Sequence, residues 1–168
     1  MRIGERGFGF MVWHTHRAPA FRAYVKDLET QIIPVRPERF FGSDHDRNMV
    51  EIARRNVRKA GFDEWIGVEE VSVSEARPPT PPSSPYRLVV CNPPYGERMG
   101  KGEELEALYR EFGHVLRGVF PDSRVGVLAG ESSPFRAIGL KSNRRTAMRN
   151  GGLRCHLLEY EIFKREPR

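Results

Sequence analysis

The stretch "RLVVCNPPYGERMG", residues 87–100, contains the feature that decides the fold. An apolar run typical of a buried strand is followed at once by an amide, two prolines and an aromatic residue: Asn92, Pro93, Pro94 and Tyr95. Two consecutive prolines cannot donate ladder hydrogen bonds, so strand pairing has to stop there. Because the rigid turn fixes where the Asn92 side chain and the Tyr95 ring point, we expect this strand end to serve a function.

Helical and extended patterns alternate around this stretch. In chain order we expect a short strand or packed loop over 8–13, a helix over 18–33, a strand over 39–44, a helix over 47–60, a strand over 67–73, a Pro/Ser loop over 78–85, a strand over 87–91, a helix over 102–120, a strand over 124–130, a short serine-capped helix over 132–140, and a C-terminal hairpin. This order predicts an α/β fold with a doubly wound, mostly parallel sheet and an antiparallel hairpin at its edge.

Local signals support several of these boundaries. Asp46 is a typical N-cap and Gly61 a typical residue just beyond a helix C-terminus. Asn150 with Gly151 is a strong tight-turn signal, which predicts the hairpin. The continuous apolar run 87–91 predicts a central parallel strand that is buried on both faces.

Size and composition bound the class of protein. The 168 residues favour one domain over 1–168. No apolar run approaches the roughly 20 residues of a membrane span, and the N-terminus has no signal-peptide pattern, so we expect a cytoplasmic protein without a membrane partner. Cys91 and Cys155 lie in apolar runs, which favours buried thiols, and the sequence has no metal-ligand spacing.

The net charge of +6, with 28 Lys and Arg, permits attraction to a phosphate backbone. Many of the positive residues lie on the solvent-exposed face of a predicted helix. A denser cluster near the C-terminal hairpin is the better candidate for RNA phosphate contacts: Lys141, Arg144, Arg145 and Arg149. The alternative is that these residues only keep a loop soluble.

Two strand ends are candidates for ligand binding, because ligands of doubly wound sheets bind at the carboxyl ends of the strands. Asp44 ends the predicted strand 39–44, and its carboxylate can accept both hydroxyls of a ribose. The alternative is that Asp44 helps to cap the next helix, but Asp46 is better placed for that role.

The second strand end can hold an exocyclic aromatic amine. Such an amine is a weak nucleophile, because its lone pair is delocalised into the ring. The Asn92 side-chain oxygen and the Pro93 carbonyl can accept its two hydrogens, while Tyr95 can stack on the base. The alternative is a proline-rich turn with a packed tyrosine.

This combination resembles the class I, Rossmann-like methyltransferases that modify exocyclic amines of nucleic acid bases. Four segments look, in order and spacing, like the catalytic domain of the THUMP-linked RNA guanine methyltransferases: 41–61, 89–100, 105–117 and 150–163. The resemblance implies S-adenosylmethionine as cofactor and a guanine of ribosomal or transfer RNA as substrate, with 2-methylaminoguanosine as product.

The resemblance also implies roles for individual residues. Asp44 matches the family's ribose ligand, His45 its adenine-side contact, and Asn92 to Tyr95 its catalytic motif. The acid that touches the adenine amine in the family is replaced here by Ser72 or Ser74, and Glu75 can substitute for it.

One departure from the family concerns its glycine-rich cofactor loop, which follows a central first strand. The glycines near the start, Gly4, Gly7 and Gly9, do not follow an apolar strand. We therefore expect the first strand to be missing, cofactor binding by the chain alone to be weak, and an upstream chain or a homodimer to complete the sheet.

Two other functions stay open at this stage. One is a non-catalytic remnant that binds RNA or protein, and the other is a DNA or protein-glutamine methyltransferase with the same Asn-Pro-Pro-Tyr chemistry. The hairpin and the continuation "YGERMG" favour the RNA family.

Overall fold

The computed structural model describes residues 8–32, 40–78, 87–95 and 102–164. The helices are α1 (Ala18–Thr30), α2 (Arg47–Ala60) and α3 (Glu103–Val119), and the strands are β1 (Phe40–Asp44), β2 (Ile66–Glu70), β3 (Arg87–Cys91), β4 (Ser123–Gly130), β5 (Arg144–Asn150) and β6 (Leu153–Ile162). The chain divides after Glu70 into two compact units, each with its own sheet.

The first unit holds a parallel pair of strands, β1 and β2, in a register that runs from Phe40 opposite Ile66 to Asp44 opposite Glu70. The helix between them has the predicted boundaries. The Asp46 carboxylate accepts a hydrogen bond from the Asn48 N–H at 2.8 Å, and Gly61 ends the helix with a φ of 71°.

This unit buries little apolar surface of its own. Among its described residues, Val50 is the one hydrophobic side chain that is fully buried, with 1% exposed. Phe40 and Phe41 of β1 remain 54% and 45% exposed. The first unit therefore has pairing and capping interactions but only a small core.

The second unit contains a four-stranded sheet in the order β3-β4-β6-β5. Strands β3 and β4 are parallel, while β6 runs antiparallel to both β4 and β5. The hairpin predicted at Asn150 is confirmed, because Asn150 pairs with Leu153 around a two-residue turn in which Gly151 has a φ of 59°.

One face of this sheet forms the core of the second unit. Helix α3 packs there with its apolar side against alternate residues of β4 and β6; the cluster includes Leu105, Tyr109, Leu116, Val125, Val127, Leu158 and Tyr160. Gly113 permits a close approach of α3 to the turn of residues 135–138, because an added Cβ would lie 2.8 Å from the Ile138 carbonyl carbon.

The prediction that residues 87–91 form a central strand buried on both faces is wrong for the structure as described. Val89 packs against the core, but Leu88 and Val90 point to the other face and are 72% and 73% exposed. Within the described parts of the chain, β3 pairs with β4 alone. An apolar run shows that a strand has two apolar faces, and it does not show what covers each of them.

Several predicted boundaries also need correction. Residues 9–12 form a short 3₁₀ turn, so of the two alternatives for 8–13 the strand is wrong. Residues 135–138 form a 3₁₀ turn instead of the expected serine-capped helix, and β2 ends at Glu70, before another 3₁₀ turn at 73–75. The Ser133 hydroxyl donates to the Gly130 carbonyl at 2.7 Å instead of capping a helix. Helix α1 already ends at Thr30, and most of the Pro/Ser loop lies outside the described residues.

Candidate active site

The segment Asn92 to Tyr95 continues directly from the carboxyl end of β3. The Tyr95 hydroxyl donates a hydrogen bond of 2.7 Å to Asn92 Oδ1, while the Asn92 side chain remains exposed. The amide oxygen has two lone pairs, and one of them is occupied in this arrangement. The structure therefore brings together the amide and the aromatic ring that the sequence singled out.

Helix α3 supports this segment from the core side. The Tyr109 hydroxyl donates to the Pro94 carbonyl at 3.1 Å, and Tyr109 itself is 1% exposed. Burial raises the pKa of Tyr109, so its hydroxyl keeps the proton that it donates. A buried side chain of α3 thus fixes the turn that carries Asn92.

The last residue of β4 determines where the Tyr95 ring can lie. A Cβ added to Gly130 would lie 2.7 Å from Tyr95 Cγ and 2.9 Å from Tyr95 Cβ, closer than side-chain carbons approach one another. The ring therefore occupies the space that any other residue at position 130 would need.

The hairpin supplies a third support. Asn150, the last residue of β5, donates from Nδ2 to the Tyr95 hydroxyl oxygen at 3.4 Å. Burial is the largest influence on the Tyr95 pKa and raises it, while the Asn150 hydrogen bond lowers it in part. With the net effect upward, Tyr95 is a neutral phenol at physiological pH.

Sequence reasoning missed these three supporting residues. Tyr109 lies within the predicted helix 102–120, Gly130 ends the predicted strand 124–130, and Asn150 belongs to the predicted turn. Only Gly130 carried a signal, since glycine in a strand can mark a close approach of another group.

A cleft of about 420 Å³ lies beside Tyr95. Its walls combine aromatic and apolar surface with three polar side chains; they include Tyr95, Leu105, Pro134, Glu103, Glu106 and Ser132. The cleft is more open to solvent than enclosed.

Both cysteines are free thiols, and Cys155 is buried. Desolvation raises the pKa of Cys91, at the end of β3, from 9.0 to about 11. The described residues contain no group of His, Cys, Asp and Glu side chains that could hold a metal ion. Nor does any helix among them have the length and apolar character to cross a membrane.

Asp44 lies at the carboxyl end of β1 in the first unit. Its Oδ1 accepts from the Asp46 N–H at 2.9 Å and lies 3.4 Å from His45 Nδ1, and 46% of its side chain is exposed. The carboxylate therefore takes part in the turn before α2, while the cap of that helix is Asp46. Its Oδ2 has no hydrogen bond to a described residue, so an exposed acceptor remains that fits a ribose hydroxyl.

The residues predicted to contact the adenine lie in the second unit and bond to one another. The Ser72 hydroxyl donates to Glu75 Oε2 at 2.9 Å and lies 2.9 Å from the Ser74 hydroxyl. Like Asp44, Glu75 has one carboxylate oxygen in a hydrogen bond to a neighbouring residue.

The basic residues of β5 separate onto two faces, because side chains alternate along a strand. Arg145 lies beside the core-side residue Leu158, with its guanidinium 4.8 Å from the Phe135 ring centre and 2.9 Å from His156 Nε2. Arg144 points the other way, 3.9 Å from the Glu159 carboxylate.

By the same alternation, Arg149 shares the face of Arg145. Lys141 precedes the strand and is exposed. The four basic residues therefore do not form one cluster.

The fold and this strand end define the class: a class I, S-adenosylmethionine-dependent methyltransferase with a Rossmann-like sheet. Residues 8–159 match the model of the RMKL-like methyltransferase domain. The chain belongs to that family.

Curated relatives carry the name ribosomal RNA large subunit methyltransferase K/L. The relative from Shewanella loihica is 35% identical over 169 residues, which are 99% of this chain and 23% of that protein. The relative from Cellvibrio japonicus is 32% identical over 164 residues, 95% of this chain and 22% of that protein. The chain thus spans less than a quarter of the length of these relatives.

Solved structures agree with the fold. SMU.472, assigned as a methyltransferase and solved with SAH, matches with a TM-score of 0.78 at 21% identity, covering 98% of this chain and 42% of that one. A chain from Listeria monocytogenes assigned as an N6-adenine-specific DNA methylase matches with a TM-score of 0.73 at 27% identity, covering 94% and 39%.

Proposed function

We propose that this chain carries the catalytic residues of an RNA methyltransferase that modifies the exocyclic amine of a guanine in ribosomal or transfer RNA. The supporting observation is the strand end at Asn92, where the exposed Asn92 side chain is hydrogen-bonded to Tyr95 and the turn between them is held by the Tyr109 bond to the Pro94 carbonyl. The names of the curated relatives favour ribosomal RNA among the substrates.

The proposed chemistry needs acceptors for the amine hydrogens. Asn92 Oδ1 and the Pro93 carbonyl each accept one N–H of the substrate amine, which orients the nitrogen lone pair away from the ring plane. The same two oxygens stabilise the positive charge that develops on this nitrogen as it is alkylated. Tyr95 stacks on the base, and the Tyr109 and Gly130 contacts keep the turn in place.

S-adenosylmethionine, when bound, supplies an electrophilic methyl group. Asp44 is the residue in this chain that we propose for its ribose, because of the exposed carboxylate oxygen described above. His45, adjacent to Asp44, is proposed for the adenine side. Ser72 and Glu75, which are hydrogen-bonded to each other, are also proposed for the adenine side.

Substitution of Asn92 by alanine tests this proposal. Loss of one positioned acceptor lowers such rates by about a hundredfold or more. Asn56→Ala is the matched control, because Asn56 is exposed in the C-terminal half of α2, far along the chain from Asp44 and Asn92. Transfer of tritiated methyl groups to RNA should disappear for Asn92→Ala and persist for Asn56→Ala.

The alternatives give different results in the same assay. A non-catalytic remnant would transfer no methyl group in any form, including the wild type with S-adenosylmethionine and a candidate partner chain added. A DNA or protein-glutamine methyltransferase would label those substrates in preference to RNA. An Asn92→Ala protein with the wild-type rate would exclude the catalytic role proposed for Asn92.

We also propose RNA as the partner of one face of β5. Arg145 and Arg149 share this face, and the ion pairs among the described residues include neither of them; the contacts of Arg145 with Phe135 and His156 leave its positive charge without an acidic partner there. Lys141 is an additional exposed cation before the strand. Arg144, which faces Glu159, is then a matched control within the same strand.

The test is the dependence of RNA affinity on salt. For Arg145→Gln, the slope of log affinity against log salt should fall by about 0.7 for a single strand, equally for all sequences, because phosphate contacts do not read bases. For Arg144→Gln the slope should stay near that of the wild type. Equal slopes for all three proteins would show that these arginines contribute only solubility.

A second chain along the open edge of β3 is a further part of the proposal, either an upstream chain or another copy of this one. Exposed strand edges favour such pairing. If the chain pairs with another copy of itself, light scattering at rising concentration should detect a dimer. If it pairs with a different chain, the same measurement should detect a monomer throughout. We place the protein in the cytoplasm because that is where its proposed RNA substrates are found.

A further inference from the structure

An exposed arginine of β5 is held against an aromatic ring. The Arg145 guanidinium lies over the Phe135 ring, 4.8 Å from its centre. Its Nη2 donates to His156 Nε2 at 2.9 Å, because a guanidinium has donors only. Phe135 and His156 are partly buried, with ring centres 6.3 Å apart, whereas the Arg145 side chain is exposed. The two rings therefore fix the plane of a guanidinium that still faces solvent.

Other arginines of the same sheet have a different kind of partner. Arg124, Arg144 and Arg154 each lie within 4.0 Å of a glutamate carboxylate. The ion pairs among the described residues do not include Arg145, and its contacts with two rings do not neutralise its charge. A guanidinium plane of this kind, already ordered and without an acidic partner among these residues, is suited to stacking on another planar aromatic group.

We propose that the outer face of the Arg145 guanidinium stacks on an unpaired base of the RNA, with the Phe135 ring on its inner face. Unpaired bases stack on arginine planes as well as on aromatic rings, and they do so with little regard to sequence. The edge of the same guanidinium keeps donors for the phosphate contact proposed above. This inference rests on the proposed RNA partner and adds the group that β5 recognises, a nucleobase.

The base on Arg145 is a different nucleotide from the one that is methylated. Arg145 and Asn150 lie on opposite faces of the sheet, because side chains alternate along β5. Asn150 donates to the Tyr95 hydroxyl, so the Tyr95 ring belongs to the face that Arg145 does not share. The contact at Arg145 therefore holds the RNA without touching the reacting amine.

The experiment separates the base from the phosphates. A short single-stranded oligoadenylate and an abasic strand with the same number of phosphates are each titrated with the whole chain at one salt concentration. Arg145→Lys is the test variant, because lysine keeps the positive charge and loses the plane. Arg144→Lys is the matched control, since Arg144 lies in the same strand on the opposite face, beside Glu159.

The wild type should bind the oligoadenylate more tightly than the abasic strand. Arg145→Lys should weaken binding of the oligoadenylate by about tenfold, the effect of losing one stacked base, and leave binding of the abasic strand unchanged. Arg144→Lys should leave both affinities at their wild-type values. Phe135→Leu keeps an apolar side chain against the core but removes the ring, so it should weaken binding of the oligoadenylate alone. Thermal denaturation checks that each variant is folded.

Two results would overturn the inference. One is a wild type that binds the two strands equally or binds neither, and the other is an equal loss for both strands in Arg145→Lys. The binding assay does not depend on methyl transfer. If Arg145→Lys loses the preference for the oligoadenylate but the wild type methylates no RNA, the inference stands and the proposed activity fails. If the wild type methylates RNA and Arg145→Lys keeps the preference, the proposed function stands and the inference fails.

Discussion

The replacement of Gly130 by alanine tests whether the Tyr95 ring position matters for catalysis. The new Cβ would lie 2.7 Å from Tyr95 Cγ, and ordinary contact begins at 3.4 Å, so the ring has to withdraw by about 0.7 Å. The Gly130 main chain pairs with Cys155 in the sheet and cannot move as easily as the ring. The displacement therefore falls on Tyr95 and on its hydrogen bond to Asn92.

We expect this displacement to lower methyl transfer by about tenfold to a hundredfold, since a misplacement of about 1 Å has effects of that size. The free energy of unfolding should change by less than about 1 kcal/mol, because the half-buried Tyr95 can move without emptying the core. Thermal denaturation and initial rates of tritiated methyl transfer measure the two effects separately.

Gly126→Ala is the matched control for this experiment. Gly126 lies on the same strand and the same face, but its added Cβ would meet only Leu157 Cδ1 at 3.7 Å, an ordinary contact. The aromatic NMR resonances of Tyr95 give a readout that needs no activity. If they stay at their wild-type positions in Gly130→Ala, or if that variant transfers methyl groups as fast as Gly126→Ala, then Gly130 does not position the ring.

Three further changes have defined outcomes. Tyr95→Phe removes the hydroxyl that is hydrogen-bonded to Asn92 Oδ1 and keeps the ring that stacks on the base. The KM for RNA should therefore fall or stay equal. A large loss of kcat would instead show that the hydroxyl has a direct role in methyl transfer. Gly113→Ala places a Cβ against the Ile138 carbonyl and should reduce the free energy of unfolding by about 1–3 kcal/mol in urea titrations; wild-type stability would show that α3 can shift freely. The pKa of Cys91 is raised from 9.0 to about 11 in the folded chain, so the buried thiol contributes to stability below pH 9 and this contribution is lost as the pH rises toward 11. The free energy of unfolding should therefore fall by about 1 kcal/mol between pH 8.5 and 10. If the free energy of unfolding of Cys91→Ala falls by the same amount, another group is responsible.

Much of the secondary structure could be predicted, because it depends on local chemistry. The Asp46 cap, the Gly61 terminus and the Asn150 turn are each determined by a few neighbouring residues, and each is confirmed. The class of fold and the family are confirmed as well, since strand–helix alternation and the ordered motifs are both visible in one dimension.

The supports of the candidate site could not be predicted, because they come from distant parts of the chain. Tyr109, Gly130 and Asn150 lie 14, 35 and 55 residues after Tyr95, and no local pattern distinguishes them from an ordinary core residue, strand end or turn. The prediction that both faces of β3 are buried failed for a related reason. The apolar sequence of the strand is the same whether one or both of its faces are covered.

The basic residues near the hairpin illustrate a different limit. Adjacent arginines look like one patch in a sequence, but in a strand they face opposite sides of the sheet. Once β5 is recognised as a strand, the alternation of side chains places Arg144 and Arg145 on opposite faces. The prediction of a shared phosphate contact did not take this alternation into account. Their roles remain predictions for the salt-dependence experiment.

The uneven burial of the two units has a consequence for how ligand affinity should be measured. Amide hydrogens of β4 and β6, beneath the main core, should exchange only on global unfolding, whereas those of β1 and α2 should exchange through frequent local opening. Asp44 lies in this less protected part of the chain. A ligand that binds only the ordered form of β1 and α2 would show an apparent affinity equal to its intrinsic affinity multiplied by the fraction of molecules in that form. Slower hydrogen exchange in β1 on addition of S-adenosylmethionine would then detect binding that is too weak for calorimetry.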